Sequence, residues 1–400
     1  MSLFSSWPSG YKYNPVMGKF IEACHCNGLI SIKNVAHNVG ISLSYAYYLL
    51  KKLKSDLNFT LKARPFYEKL GLRYASCFLS ISSNSARRFL FQVLSEHEYT
   101  LYISICDGAV RGLYCNIVVP KGHESQFSSF LELCSSLGLV DNYMLYYTSS
   151  PERVVMGFSW YDYSSGCWIY KWDDFVNEVQ YFADTDVDES VISNYLSTNN
   201  MSKPIDDLDL IIIRHLEDDV FTTLKYISNK AGVTPQDLSY HMKNHVIKKG
   251  LIKYTIPYWL PIPLNEACIF VPVMTFERPR YLWAMVKALN NKPIARGYTI
   301  CYSDSTIYFL PVCVLPHPEV YRFASYLDEL KDTGLLKDHF KVIINTEISR
   351  GKGIPCNLHV DGTGWLYNID DCINKVLSCV KLSQDERRLV RATERSMESR

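Results

Sequence analysis

The sequence predicts an α+β chain of two tandem units, each a winged helix-turn-helix followed by a ferredoxin-like βαββαβ domain. Three observations carry this. The chain repeats itself at a spacing of about 190 residues, each repeat opens with a helical pattern broken by glycine, and each continues through six alternating strand-like and helix-like segments. The expected boundaries are 1–66 and 207–262 for the winged helices, 67–196 and 263–382 for the ferredoxin-like domains, 197–206 for a linker and 383–400 for a basic C-terminal helix or tail.

The repeat is clearest where Trp168-Ile-Tyr-Lys-Trp-Asp-Asp-Phe-Val-Asn-Glu-Val179 meets Trp365-Leu-Tyr-Asn-Ile-Asp-Asp-Cys-Ile-Asn-Lys-Val376, with six of twelve positions identical. The Asp173-Asp174 and Asp370-Asp371 pairs sit where an N-cap and first-turn acid open a helix, a structural role preferred to a catalytic carboxylate pair. Upstream, Leu131 to Leu139 resembles Leu327 to Leu335, and Val39-Gly40-Ile41-Ser42 falls opposite Ala231-Gly232-Val233-Thr234.

In the second unit, Leu208, Ile211, Ile212 and Leu216 give residues 208–218 a buried helical face. A helix over about 222–230 ends at Gly232, and Thr234-Pro235 caps and opens a recognition helix through Lys248. Gly250 stops it before the β-prone wing strand Leu251 to Ile256. The following strands and helices are expected at about 75–82, 86–96, 99–106, 111–119, 124–138 and 142–149 in the first unit, and at about 268–275, 278–290, 296–302, 306–314, 317–335 and 340–347 in the second.

Composition narrows the class. Hydrophobic residues make up 48% of the chain and charged residues 21%, enough for folded cores. No apolar run approaches a membrane span, and the N-terminus lacks a signal-peptide pattern. The 13 cysteines lie in apolar stretches without a CxxC pair, as reduced thiols in a cytoplasm would. The net charge of +1 hides a basic first 160 residues (+5), an acidic 161–220 (−11) and a basic remainder (+7).

The segments Leu208-Asp209-Leu210, Gly232-Val233-Thr234 and Gly250-Leu-Ile-Lys-Tyr-Thr255 resemble the Lrp/AsnC (feast/famine) transcription regulators. In the first unit only Gly40-Ile41-Ser42 and the helical pattern match directly. The resemblance implies a cytoplasmic, archaeal regulator that binds double-stranded DNA, recognises an imperfect inverted repeat, and partners with itself or the basal transcription machinery. It also implies small effectors, often amino acids, near a Gly-x-x-Asp turn. This chain departs from that turn with Asp107-Gly108 and Ser303-Asp304-Ser305.

The recognition-helix positions nominate Ser42, Ser44, Tyr45, Tyr48, Lys51, Lys52 and Lys54 in the first unit for DNA contact. The second unit contributes Thr234, Gln236, Ser239, Tyr240, Lys243, Lys248 and Lys253. Hydroxyls and amides read base edges, while lysines supply salt-dependent affinity. A solvated helix surface would carry similar residues. Arg387, Arg388, Arg391 and Arg395 form a basic tail that touches DNA, a partner or only solvent.

No catalytic residue, cofactor or metal site is expected. The ten histidines present no HExxH pattern, Cys24-His25-Cys26 lacks a second ligand cluster and reads as packing, and Gly351-Lys-Gly353 lacks the setting of a phosphate loop. Two alternatives stay open. Siroheme decarboxylases share this architecture and hold a tetrapyrrole at the domain interface, although no His-Tyr-Arg cluster is evident in the interface segments. A regulator acting only through protein contacts would also suit the low basicity.

Overall fold

The computed structural model describes residues 11–185, 203–303 and 306–381. The first helix-turn-helix comprises α1 (Pro15–Ala23), β1 (Cys26–Asn27), α2 (Ile32–Val39) and α3 (Leu43–Leu57). Each helix starts at a side-chain cap: Asn14, Ser31 and Ser42 accept from the amides of Met17, Asn34 and Tyr45. Gly40 closes α2 at φ 74°, a left-handed turn that other residues resist. Leu49, Leu50, Leu53 and Leu57 of α3 pack on Phe20, Ile21 and Val35.

After β2 (Thr60–Pro65) come β3 (Leu72–Ser80), α4 (Asn84–Glu96), β4 (Thr100–Gly108), β5 (Gly112–Pro120), α5 (Glu124–Ser136) and β6 (Asn142–Thr148), the expected βαββαβ order. The short strands β7 (Glu152–Arg153), β8 (Tyr161–Asp162) and β9 (Cys167–Trp168) lead to α6 (Trp172–Asp184). Lys171 occupies the N-cap of α6, so Asp173 and Asp174 fall in its first turn, as expected of acids near a helix dipole, and neither is the cap.

The second unit repeats the plan with α7 (Asp207–Asp218), α8 (Leu224–Ala231), α9 (Pro235–His241), β10 (Ile252–Tyr258), β11 (Ala267–Phe276), α10 (Pro279–Leu289), β12 (Ala295–Ser303), β13 (Thr306–Pro316), α11 (His317–Asp332) and β14 (Asp338–Gly351). A last helix, α12, covers residues 370–381. The recognition helix differs from the continuous α-helix expected through Lys248: α9 passes at Met242 into a π-helical segment, Met242–Ile247. Asp304, most of the 197–206 linker and the arginines of 383–400 lie outside the described residues.

One antiparallel sheet joins the units in the order β6-β3-β5-β4-β14-β11-β13-β12-β7. Each ferredoxin-like domain contributes four strands, and they meet edge to edge where β4 pairs with β14, Asp107 opposite Ile343. This contact removes two exposed edges. The wing strands also cross over. β10 lies between β1 and β2, with Thr255 opposite Cys26 and Ala63, so each unit's wing strand finds its partner in the other unit rather than in its own hairpin.

The repeated Trp-Tyr-Asp-Asp segments are exchanged as well. Trp172, Phe175, Val176 and Val179 of α6 sit in the core of the second ferredoxin-like domain, beside Met285, Ala288 and Phe323. Ile369, Cys372 and Val376 sit in the core of the first, beside Leu90, Val93 and Phe130.

Candidate functional site

Two surfaces have the chemistry of a site. The first is the pair of recognition helices. On α3, Ser44, Tyr45, Tyr48 and Lys51 are exposed, Lys52 is half-buried, and the Tyr45 and Tyr48 rings stack 5.8 Å apart. Leu43 and Tyr47 are exposed beside them and were not singled out from the sequence. In the second unit Thr234, Gln236, Tyr240, Lys243 and Lys248 are exposed and Ser239 is half-buried.

Several nominated groups have internal employment. Ser42 and Thr234 cap their helices through the amides of Tyr45 and Asp237. Lys54 bonds Asp219 of the other unit at 2.6 Å. Lys253 is a correction to the expected phosphate contacts: it is only 13% exposed, pairs with Glu152, donates to the Ser150 carbonyl at 2.9 Å and lies over the Phe66 ring. The strand alternation that turns Tyr254 one way turns Lys253 inward against the first unit.

The second surface is a cavity of about 310 Å³ between the two units, beneath the β2–β10 ribbon. Period-2 alternation puts Lys62 and Arg64 of β2 on one face with Tyr254, Ile256 and Tyr258 of β10, in register Arg64 with Tyr254 and Lys62 with Ile256. The first unit's strands add Tyr74, Tyr102 and Tyr114, the second unit's add Arg296 and Tyr298, and α7 brings Arg214 and Glu217. Gly353 lies against the ends of the Arg214 and Glu217 side chains, which a Cβ there would push aside.

The cavity is cationic and phenolic. Among the described residues neither Arg64 nor Arg296 forms a salt bridge; Arg64 is enclosed by Tyr254, Tyr67 and Tyr74, and the Arg296 guanidinium lies 4.3 Å from the Tyr258 ring centre. Lys62 Nζ approaches the same ring at 4.6 Å. Burial lowers the pKa of Lys62 and Arg296, and Arg64 lowers both further. Asp218 and Glu217 are the opposing charges; Asp218 pairs with Arg214, and burial pushes the Glu217 carboxyl up to about 7 despite an N–H bond from Ile354 at 2.9 Å. Burial also pushes the Tyr102 phenol up to about 12, so the hydroxyl stays protonated at neutral pH. Unpaired cations out of water are costly, and a bound anion would offset that cost.

The interface segments show no His-Tyr-Arg cluster in the sequence, but the fold assembles its tyrosine and arginine parts. Tyrosines and arginines converge from strands far apart in the chain, while among the described residues no histidine lines the cavity. The alternation in β2 and β10 was visible; what could not be seen was that the two strands pair with each other.

The Cys24-His25-Cys26 run packs as expected at its first residue, whose thiol is buried in the first helix-turn-helix and pushed up by that burial. His241 and His245, four apart, turn towards Asp206 and Asp209, while His359 meets Asp207 and Asp361 in a second, more exposed group. Among the described residues no helix is long and apolar enough to cross a membrane.

Fold and cavity together define a duplicated helix-turn-helix and ferredoxin-like protein with an anion-suited chamber between its units. No protein-family profile matches the sequence and no curated protein is similar to it. Among solved structures the chain is similar to the siroheme decarboxylase NirDL in complex with an iron-uroporphyrin III analogue, at 10% identity and TM-score 0.47 over 91% of this chain and 99% of that one. It is also similar to the Neisseria meningitidis transcriptional regulator solved with L-Met, at 15% identity and TM-score 0.25 over 34% of this chain and 88% of that one. An AsnC-family regulator from Agrobacterium tumefaciens matches at 14% identity and TM-score 0.26 over 33% and 88%. At this level the likenesses carry nothing about chemistry.

Proposed function

We propose that the chain is a DNA-binding transcription regulator whose two recognition helices answer to an anionic ligand held between the units. One observation carries this reading: each recognition helix runs directly into a cavity wall. α3 leads into Lys62 and Arg64, and the second recognition helix leads into Tyr254 and Tyr258. An anion bound beneath the ribbon would shift the paired strands as one and so reposition both helices. The helices differ in sequence, so the site is an imperfect inverted repeat read by unequal halves. The test is footprinting of the full chain on genomic fragments it selects. Gln236→Ala should cost ~1–3 kcal/mol on the selected sequence alone, and Lys243→Ala should weaken all DNA and reduce the salt slope by about one. Equal binding by wild type and both variants would remove the DNA-reading role.

A second reading has its own observation. Glu217, with a carboxyl near 7 among protonated phenols, is suited to exchange a proton close to neutrality. That favours an enzyme acting on a carboxylated substrate, the siroheme-decarboxylase-like alternative. Optical titration with an iron tetrapyrrole decides it: saturable binding with release of carbon dioxide supports the enzyme, and an unchanged spectrum removes it.

A further inference from the structure

We propose that Asp206, Asp209, His241 and His245 bind one divalent metal ion of the zinc class, clamping the second helix-turn-helix. The site lies in α7 and the second recognition helix, away from the central cavity. Asp206 is the N-cap of α7 and Asp209 its third residue, and a reciprocal capping box folds their carboxylates together. His241 ends α9 and His245 lies one turn on in the π-helical segment, so both rings project from one face towards α7.

The nitrogen-to-oxygen separations are close to those of a tetrahedral site. Each Nδ1, of His241 and of His245, stands 3.1 Å from Asp209 Oδ1 and 3.4 Å from an Asp206 carboxylate oxygen. A tetrahedral ion with bonds of about 2.0–2.1 Å needs donor separations of about 3.3 Å. All four donors lie within 4.8 Å of one another, and two imidazoles with two carboxylates suit zinc, cobalt or iron better than calcium or magnesium.

A plainer role would be neutralisation of Asp209, whose side chain is fully buried. Lys249 already approaches its other oxygen, Oδ2, at 3.5 Å. With Lys249 already at hand, the two imidazoles bring two further ligand-type nitrogens to the same buried carboxylate, His241 Nδ1 at Oδ1 and His245 Nδ1 at both oxygens. With metal bound, the start of α7 and the recognition helix are joined at the point where α turns to π.

The proposal does not use the DNA-binding reading, and its readout is metal alone. Full-length protein stripped with a chelator and titrated with Co²⁺ should bind one equivalent with the visible absorption of a four-coordinate nitrogen-oxygen site, without thiolate charge transfer, and Zn²⁺ should displace it. His245→Gln and Asp206→Asn, shown to be folded by circular dichroism, should each weaken binding by more than the about 10–100-fold typical of an outer-shell change. His359→Gln, in the other histidine-aspartate group, should bind as wild type. Zn²⁺ should raise the melting temperature of wild type and not of His245→Gln. Thiolate charge transfer, no saturable binding, or unaltered binding by the two folded variants would overturn the assignment.

Discussion

The indole N–H of Trp365 donates to the Leu70 carbonyl at 2.6 Å, joining the second unit's repeated segment to the turn that leads into the first unit's β3. Its counterpart Trp168 donates to Pro261 at 2.9 Å, from the first unit to the second. The duplicated halves are therefore interlocked, with each segment completing the other's core. Phe175→Ala, at a fully buried position, should cost about 3–5 kcal/mol and loosen the second ferredoxin-like domain instead of its own. Hydrogen exchange would show it as faster exchange in α10 and β13 with β3 and α4 still protected, and the reverse pattern would refute the exchange.

The ion pair of Lys54 with Asp219 makes a second separation measurable. Both side chains are partly solvated, so Lys54→Met should lower stability by only about 0.2–1 kcal/mol. If DNA is bound, Lys51→Met should reduce the salt slope by about one and Lys54→Met should leave it almost unchanged. Equal slopes for the two variants would show that Lys54 reaches phosphate after all.

Local signals were legible in the sequence wherever one element decided them. Gly40 and Gly232 marked both turns, Thr234 the cap of the second recognition helix, and all twelve ferredoxin-like segments lie close to their expected ranges. The signals that failed depend on which chain segment meets which. Nothing local to Tyr254 says that Arg64 lies opposite, or to Phe175 that its core belongs to the other unit. Lys253 was nominated from helix proximity, whereas strand alternation fixes its direction. His241 and His245 were passed over because their carboxylate partners stand more than thirty positions away.

Glu217 should make stability and ligand binding pH-dependent. Its folded-state pKa is raised above the unfolded value, so the folded protein holds the extra proton between about 4.5 and 7, and stability falls as pH rises through that window. Glu217→Gln should become progressively more stable than wild type from pH 4.5 to 7, read as the difference between their urea midpoints. An anion in the cavity favours the protonated carboxyl, so affinity for a polycarboxylate probe should weaken above pH 7 in wild type and stay level in the variant. Parallel curves for the two proteins would place the Glu217 pKa elsewhere.

His97 and His25 act with the opposite sign. Burial holds His97 down to about 4 and His25 to about 3, with Lys352 adding to the first and Arg153 and Arg296 to the second. Neither His97 Nε2 nor either ring nitrogen of His25 has a hydrogen-bond partner among the described residues, so protonation gains His25 no acceptor and His97 only the long contact of Nδ1 with Thr100 Oγ1 at 3.4 Å. The unfolded chain protonates both rings near 6.5 while the folded chain keeps them neutral. Their contribution is therefore fully present above that pH and is lost as pH falls, at about 1.4 kcal/mol per unit for each ring. Between about 4.5 and 6.5 the two histidines take up two protons on unfolding and Glu217 releases one, leaving a net uptake near one from these three groups. His97→Phe keeps the ring against Phe127 and Tyr367 while removing one titration. Its urea midpoint should fall less steeply than that of wild type from pH 6.5 to 4.5, and identical slopes would mean that the ring is protonated in the fold.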